Sequence, residues 1–157
     1  MARHVWSVLC YRSSIDKYTN VVSLLHVIEK LMFSDEEADL LAKIEREDAA
    51  GIQTDMELLS WWVRSDYSEP EEPQMRVKTI APNGKSRKTS PAPVELKENT
   101  GFRLKISIPG IYFTGFGLYW IAIEVKRGER WVEKSRIPLE IIHGKQPKPE
   151  RKLVITG

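Results

Sequence analysis

The sequence has 157 residues, 41% hydrophobic and 29% charged, with a formal net charge of +2. That length supports one domain with a sizeable core. No apolar run approaches the ~18 residues of a membrane-spanning helix, and the single cysteine, Cys10, excludes an internal disulfide.

The small net charge hides an asymmetry. Residues 34–72 carry thirteen acids against three bases, and residues 73–157 carry seventeen bases against seven acids. A basic C-terminal half suits nucleic acid, or two halves that complement each other within or between chains. The opening MARHVWSVLC lacks a basic segment followed by a long apolar stretch, so no secretory signal is read there. With one unpaired cysteine, this points to a reducing cytoplasm.

In chain order, RHVWSVLCYR (3–12) reads as a strand rich in β-branched and aromatic residues. SSIDKYTN is a polar connector, and VVSLLHVIEKL (21–31) is a second strand closing a hairpin, although its length also permits a helix. Residues 34–50 read as a helix. Ser34 followed by Glu37 is a capping-box pattern, and the acids of the first turn suit the helix dipole. Leu40, Leu41 and Ile44 make its narrow apolar stripe, and Gly51 is a stop.

Residues 56–65 read as a strand, SEPEEP (68–73) as an acidic loop, and QMRVKTIAP as a strand ending in a PNGK turn. SRKTSPAPVELKENT reads as a long loop. FRLKISI alternates, with Phe102, Leu104, Ile106 and Ile108 inward and Arg103, Lys105 and Ser107 outward. GLYWIAIEVKRGERWVEKSRIPLEII is a hairpin turning at Arg127–Gly128–Glu129. About seven strands, one inserted helix near 34–50 and no βαβ alternation predict a single antiparallel, immunoglobulin-like β-sandwich over residues 1–143. A basic, mobile tail over 144–157 follows, in which Leu153, Val154 and Ile155 could dock.

RHVWSVLCYRSSIDKYTNVVSLLHVIEKL, ELLSWWVRSD and GLYWIAIEVKRGERWVEKSRIPLEI together resemble an uncharacterised family of small bacterial proteins, a domain of unknown function. The resemblance covers most of the chain except the 34–50 helix and the tail. It implies a stand-alone bacterial β-sandwich, and carries over no activity, cofactor or functional residue.

No motif announces chemistry. His4, His26 and His143 are far apart and no CxxC or HxxxH spacing exists, so no metal site is expected. Cys10 lies in an apolar strand, where a buried thiol is the plain reading. NGKS (83–86) lacks the first glycine of a phosphate loop, since Thr79 stands there. Asp16, Asp55 and Asp66 near strand ends are single in their loops, which does not make a calcium site. No catalytic residue and no cofactor are expected, and the chain is read as non-enzymatic.

Strand parity supplies the surface clue. Leu59, Trp61 and Val63 are expected inward, leaving Ser60, Trp62 and Arg64 outward; Trp120, Ala122 and Glu124 form the outer set of the later strand. In immunoglobulin-like topology these strands are neighbours, so Trp62, Arg64, Trp120 and Ala122 make a candidate interaction patch. The 34–50 helix, a second copy or another protein, or a stacked ligand would cover it. The expected function is a non-enzymatic protein–protein interaction or structural accessory module of a bacterial cytosolic system. The alternative is a nucleic-acid-associated protein using Arg76, Lys78, Arg103 and Lys105 with the basic tail.

Overall fold

The computed structural model describes residues 1–46, 51–68 and 71–144. They form two sheets and one short helix. The first sheet runs in the order β2 (Val22–Val27), β1 (Ala2–Ile15), β4 (Gly51–Arg64), β8 (Gly101–Tyr112). The second runs β3 (Lys30–Phe33), β10 (Arg130–His143), β9 (Gly117–Arg127), β5 (Gln74–Ile80), β6 (Ser86–Lys88), with β7 (Ala92–Pro93) also on β5. Among the described residues there are ten strands, against about seven expected, and β3 runs parallel to β10 while every other strand pairing is antiparallel. The sheets share one apolar core, with Leu9, Leu58, Trp62 and Ile108 from the first and Met75, Tyr119, Ile121 and Leu139 from the second.

The added strands have local causes. The 21–31 segment divides at Ile28, which is buried and donates its amide to the Leu9 carbonyl. That anchor holds Val22–Val27 against β1 and sends Lys30–Phe33 to the other sheet. The expected loop over 86–100 contains β6 and β7, and Thr89 ties this stretch to β5 through a hydrogen bond from the Val77 amide, 3.0 Å. FRLKISI places Phe102, Leu104, Ile106 and Ile108 against the core as expected.

Helix α1 spans Asp35–Arg46. Its capping box is complete: the Ser34 amide donates to Glu37 Oε2 at 2.8 Å and the Glu37 amide donates to Ser34 Oγ at 3.3 Å. Ala38 and Leu41 are buried while Leu40 is exposed; Ile44 falls outside the described side chains. The helix lies at the end of β3 and β10, where Asp35 meets His143 at 2.7 Å, and not across a sheet face. The expected tail lies outside the described residues beyond Gly144, whose amide donates to the Phe33 carbonyl.

Candidate functional site

The tryptophan pair is oriented opposite to expectation. Trp62 is fully buried with Met56, Leu58 and Ser60, and Trp61 stands on the outer face. Both parities of this strand are apolar, since Leu58 and Leu59 are each fully buried. Ser60 decides the outcome. A serine at a core position is costly only when its hydroxyl is unpaired, and Ser60 Oγ accepts a 2.8 Å hydrogen bond from the Ser7 hydroxyl.

The candidate patch is therefore not assembled. Trp62 and Arg64 lie on β4 in the first sheet; Trp120 and Ala122 lie on β9 in the second. Trp62 packs edge-on against His4 at 5.0 Å, and Arg64 donates to the Lys97 carbonyl at 3.2 Å. Trp120 does face outward, with Arg136 over its ring at 5.5 Å, and Ala122 is buried beneath its neighbours on that face. The four basic candidates are likewise split between sheets. Arg76 pairs with Glu124 at 2.7 Å and sits 4.0 Å over Trp131, and Lys78 lies 4.0 Å from the same carboxylate. Arg103 and Lys105 lie on the outer face of β8.

That face of the first sheet is the most distinctive surface. Trp6 and Trp61 meet edge to face at 6.0 Å, and Arg103 lies 5.5 Å over Trp61. Gly101 lets the indole approach, because a Cβ there would sit 3.1 Å from Trp61 Nε1. The β1–β2 hairpin leans toward this face. β1 stops pairing with β4 at Cys10, and the main chain of Ser13 finds side-chain partners instead. The Ser13 amide and hydroxyl donate to Glu57 Oε2, each at 2.9 Å, and Lys105 Nζ donates to the Ser13 carbonyl at 3.1 Å. Arg103 reaches the hairpin turn through Asn20 Oδ1 at 2.9 Å. Burial works to raise the Glu57 pKa, but the Ser13 hydrogen bonds and the Lys105 charge outweigh it, so the carboxyl stays below its usual range. Burial, then the Glu57 charge, pushes the Cys10 thiol up.

The hairpin exposes apolar side chains on both of its faces. Of thirteen exposed large hydrophobic residues among those described, six fall within residues 11–27: Tyr11, Ile15, Tyr18, Val21, Leu25 and Val27. β2 is an edge strand with no second neighbour. Residues 20–28 contain no Lys, Arg, Asp, Glu or Pro, so neither charge nor proline blocks strand addition here. The sequence-based patch of Trp62, Arg64, Trp120 and Ala122 does not include this run. Its signal was a charge-free stretch beside a short polar connector.

A serine beside a histidine invites a catalytic reading. His4 Nε2 lies 2.8 Å from Ser7 Oγ, and burial holds the imidazole below its ordinary pKa. Yet the Ser7 hydroxyl donates onward to Ser60, and no carboxylate among the described residues orients the ring. The chain of contacts satisfies a buried hydroxyl and does not prepare a nucleophile. No group of three or more His, Cys, Asp or Glu among the described residues could hold a metal ion. No helix among them is long and apolar enough to cross a membrane. Neither the known protein families nor the curated proteins compared with this sequence give a match.

Proposed function

We propose that this chain is a non-enzymatic protein–protein interaction or structural accessory module of a bacterial cytosolic system, built as an immunoglobulin-like β-sandwich, and that it docks through the β1–β2 hairpin. One observation carries the reading: six of the thirteen exposed large hydrophobic residues among those described lie in the β1–β2 hairpin, and its edge strand, which bears Leu25 and Val27, lacks charge and proline. Such an edge invites aggregation unless a partner covers it. The bacterial, cytosolic setting rests on the sequence resemblance and on the lone buried Cys10. The nucleic-acid alternative draws less support, because its four bases divide between two sheets and Arg76, Lys78 and Lys105 already neutralise Glu124 and Glu57.

The test is affinity capture from the native cell with wild type and with Leu25→Glu. Leu25 is exposed, so the variant should keep its fold, checked by its melting curve. The variant should lose both self-association and the co-captured partners. Retention of both by the variant would overturn the hairpin as the docking element.

A further inference from the structure

We propose that the cavity between the edges of the two sheets, lined by Thr79, Arg87 and Tyr112, binds a small organic oxyanion, a phosphate monoester or a carboxylate. The site goes beyond the interaction reading above and is separate from the hairpin, since β2 stands at the opposite end of the first sheet from β8.

Topology opens this cavity. β8 is the last strand of the first sheet, and β6 is the last of the second. β6 has only three residues against twelve in β8, so it covers a short length of that side. The cavity between them has a volume of about 370 Å³, within the range of small-molecule sites. The buried Ala81 and Ile111 give it an apolar floor.

Strand register points Arg87 into this space. Thr79 pairs on one side with Ile121, which is fully buried in the core, and on the other with Arg87. Cross-strand partners share a face of the sheet, so Thr79 and Arg87 both turn inward. The Arg87 guanidinium lies over the Tyr112 ring, 4.3 Å from its centre. Tyr112 belongs to β8, so this stack crosses from one sheet to the other. A guanidinium placed over a ring keeps its edge N–H groups for an acceptor. Among the described residues, Arg87 makes no ion pair and no side-chain hydrogen bond, and the Thr79 hydroxyl has no partner. The described residues lining the cavity include no Asp or Glu.

An inward charge on an edge strand also deters strand addition. That role needs only the charge. It does not call for a hydroxyl on the same face or for a cavity with an apolar floor. Carboxylate and phosphate both match the guanidinium fork in bidentate fashion, and the floor favours an organic body over a bare ion.

Phenyl phosphate, benzoate and the neutral benzyl alcohol test this, followed by calorimetry and by amide chemical shifts. One or both anions should bind, with shifts centred on residues 79–87 and 110–112, and the tighter anion names the ligand class. Arg87→Met should weaken that binding about tenfold to a hundredfold. Arg87→Lys keeps the charge but not the fork, and should recover only part of the loss. Thr79→Val should weaken binding about twofold to tenfold. Arg87 is exposed, so its variants should keep the fold. Leu25→Glu should bind the anions as wild type does, whatever it does to partner capture. Failure of both anions to bind, equal binding of benzyl alcohol, or undiminished binding by Arg87→Met overturns the proposal.

Discussion

Glu57 and Ser13 are joined by two hydrogen bonds of 2.9 Å to a single carboxylate oxygen, and through them the β1–β2 hairpin is fixed to the sheet it has left. A carboxylate accepting an amide and a hydroxyl forms charge-assisted bonds, and Lys105, 3.5 Å away, balances its charge. Glu57→Ala should cost about 1–3 kcal/mol by urea unfolding, and amide exchange should quicken across residues 11–27 before the rest of the chain. Uniform exchange throughout would show that the hairpin is held by its apolar contacts alone.

Trp62 and Trp61 should differ sharply on truncation. Trp62 is fully enclosed, so Trp62→Ala should cost about 3–5 kcal/mol. Trp61 is half-buried beside Trp6 and Arg103, and Trp61→Ala should cost only about 0.5–1.5 kcal/mol. The ranking, read from denaturant midpoints, checks which ring is in the core. Equal losses would contradict the assigned parity.

The error at this pair shows what the sequence could not carry. Period-two alternation places one tryptophan inside but does not say which. The apolar set Leu59, Trp61 and Val63 outranked a set containing Ser60, and only the partner 53 residues away, Ser7, makes a buried serine acceptable. Sheet membership is non-local in the same way. Nothing near Trp120 reveals that β9 joins β5 and β10 and not β4. What depends on neighbours in sequence was legible: the Ser34–Glu37 capping box, the turn at Gly128, and the alternation of FRLKISI. Edge position follows from assembly of the whole sheet, so the charge-free run over 20–28 does not by itself mark β2 as an edge strand.

His4 gives the fold a mild acid sensitivity. Its imidazole is held below the usual value first by burial, against a raising hydrogen bond to the Trp6 backbone and with Lys134 adding to the lowering. Below about pH 6.5 the unfolded chain binds a proton that the folded chain resists. Stability should therefore begin to fall as pH drops through that value, and go on falling until the folded imidazole titrates. Glu57 contributes a separate, lower window: its folded pKa is depressed, so its contribution is lost as pH falls below the ordinary carboxylate range. His4→Gln should flatten the first slope in a series of unfolding measurements and leave the second. An unchanged slope near pH 6 would exclude His4 as its source.

Arg76 and Glu124 provide a test of how the second sheet's outer face is held. Glu124 is 7% exposed, its carboxylate paired with Arg76 at 2.7 Å, while Trp131 lies against the guanidinium at 4.0 Å. Removing one charge leaves the other nearly enclosed, which is worse than removing both. Lys78, 4.0 Å from the same carboxylate, supplies partial compensation. Arg76→Met should therefore destabilise by about 2–4 kcal/mol, and Glu124→Leu in the same chain should recover much of that loss. The coupling between the two sites, from a double-mutant cycle of unfolding free energies, should exceed about 1 kcal/mol. Additive losses would mean that the pair is solvated and that Trp131, through stacking alone, holds Arg76 in place.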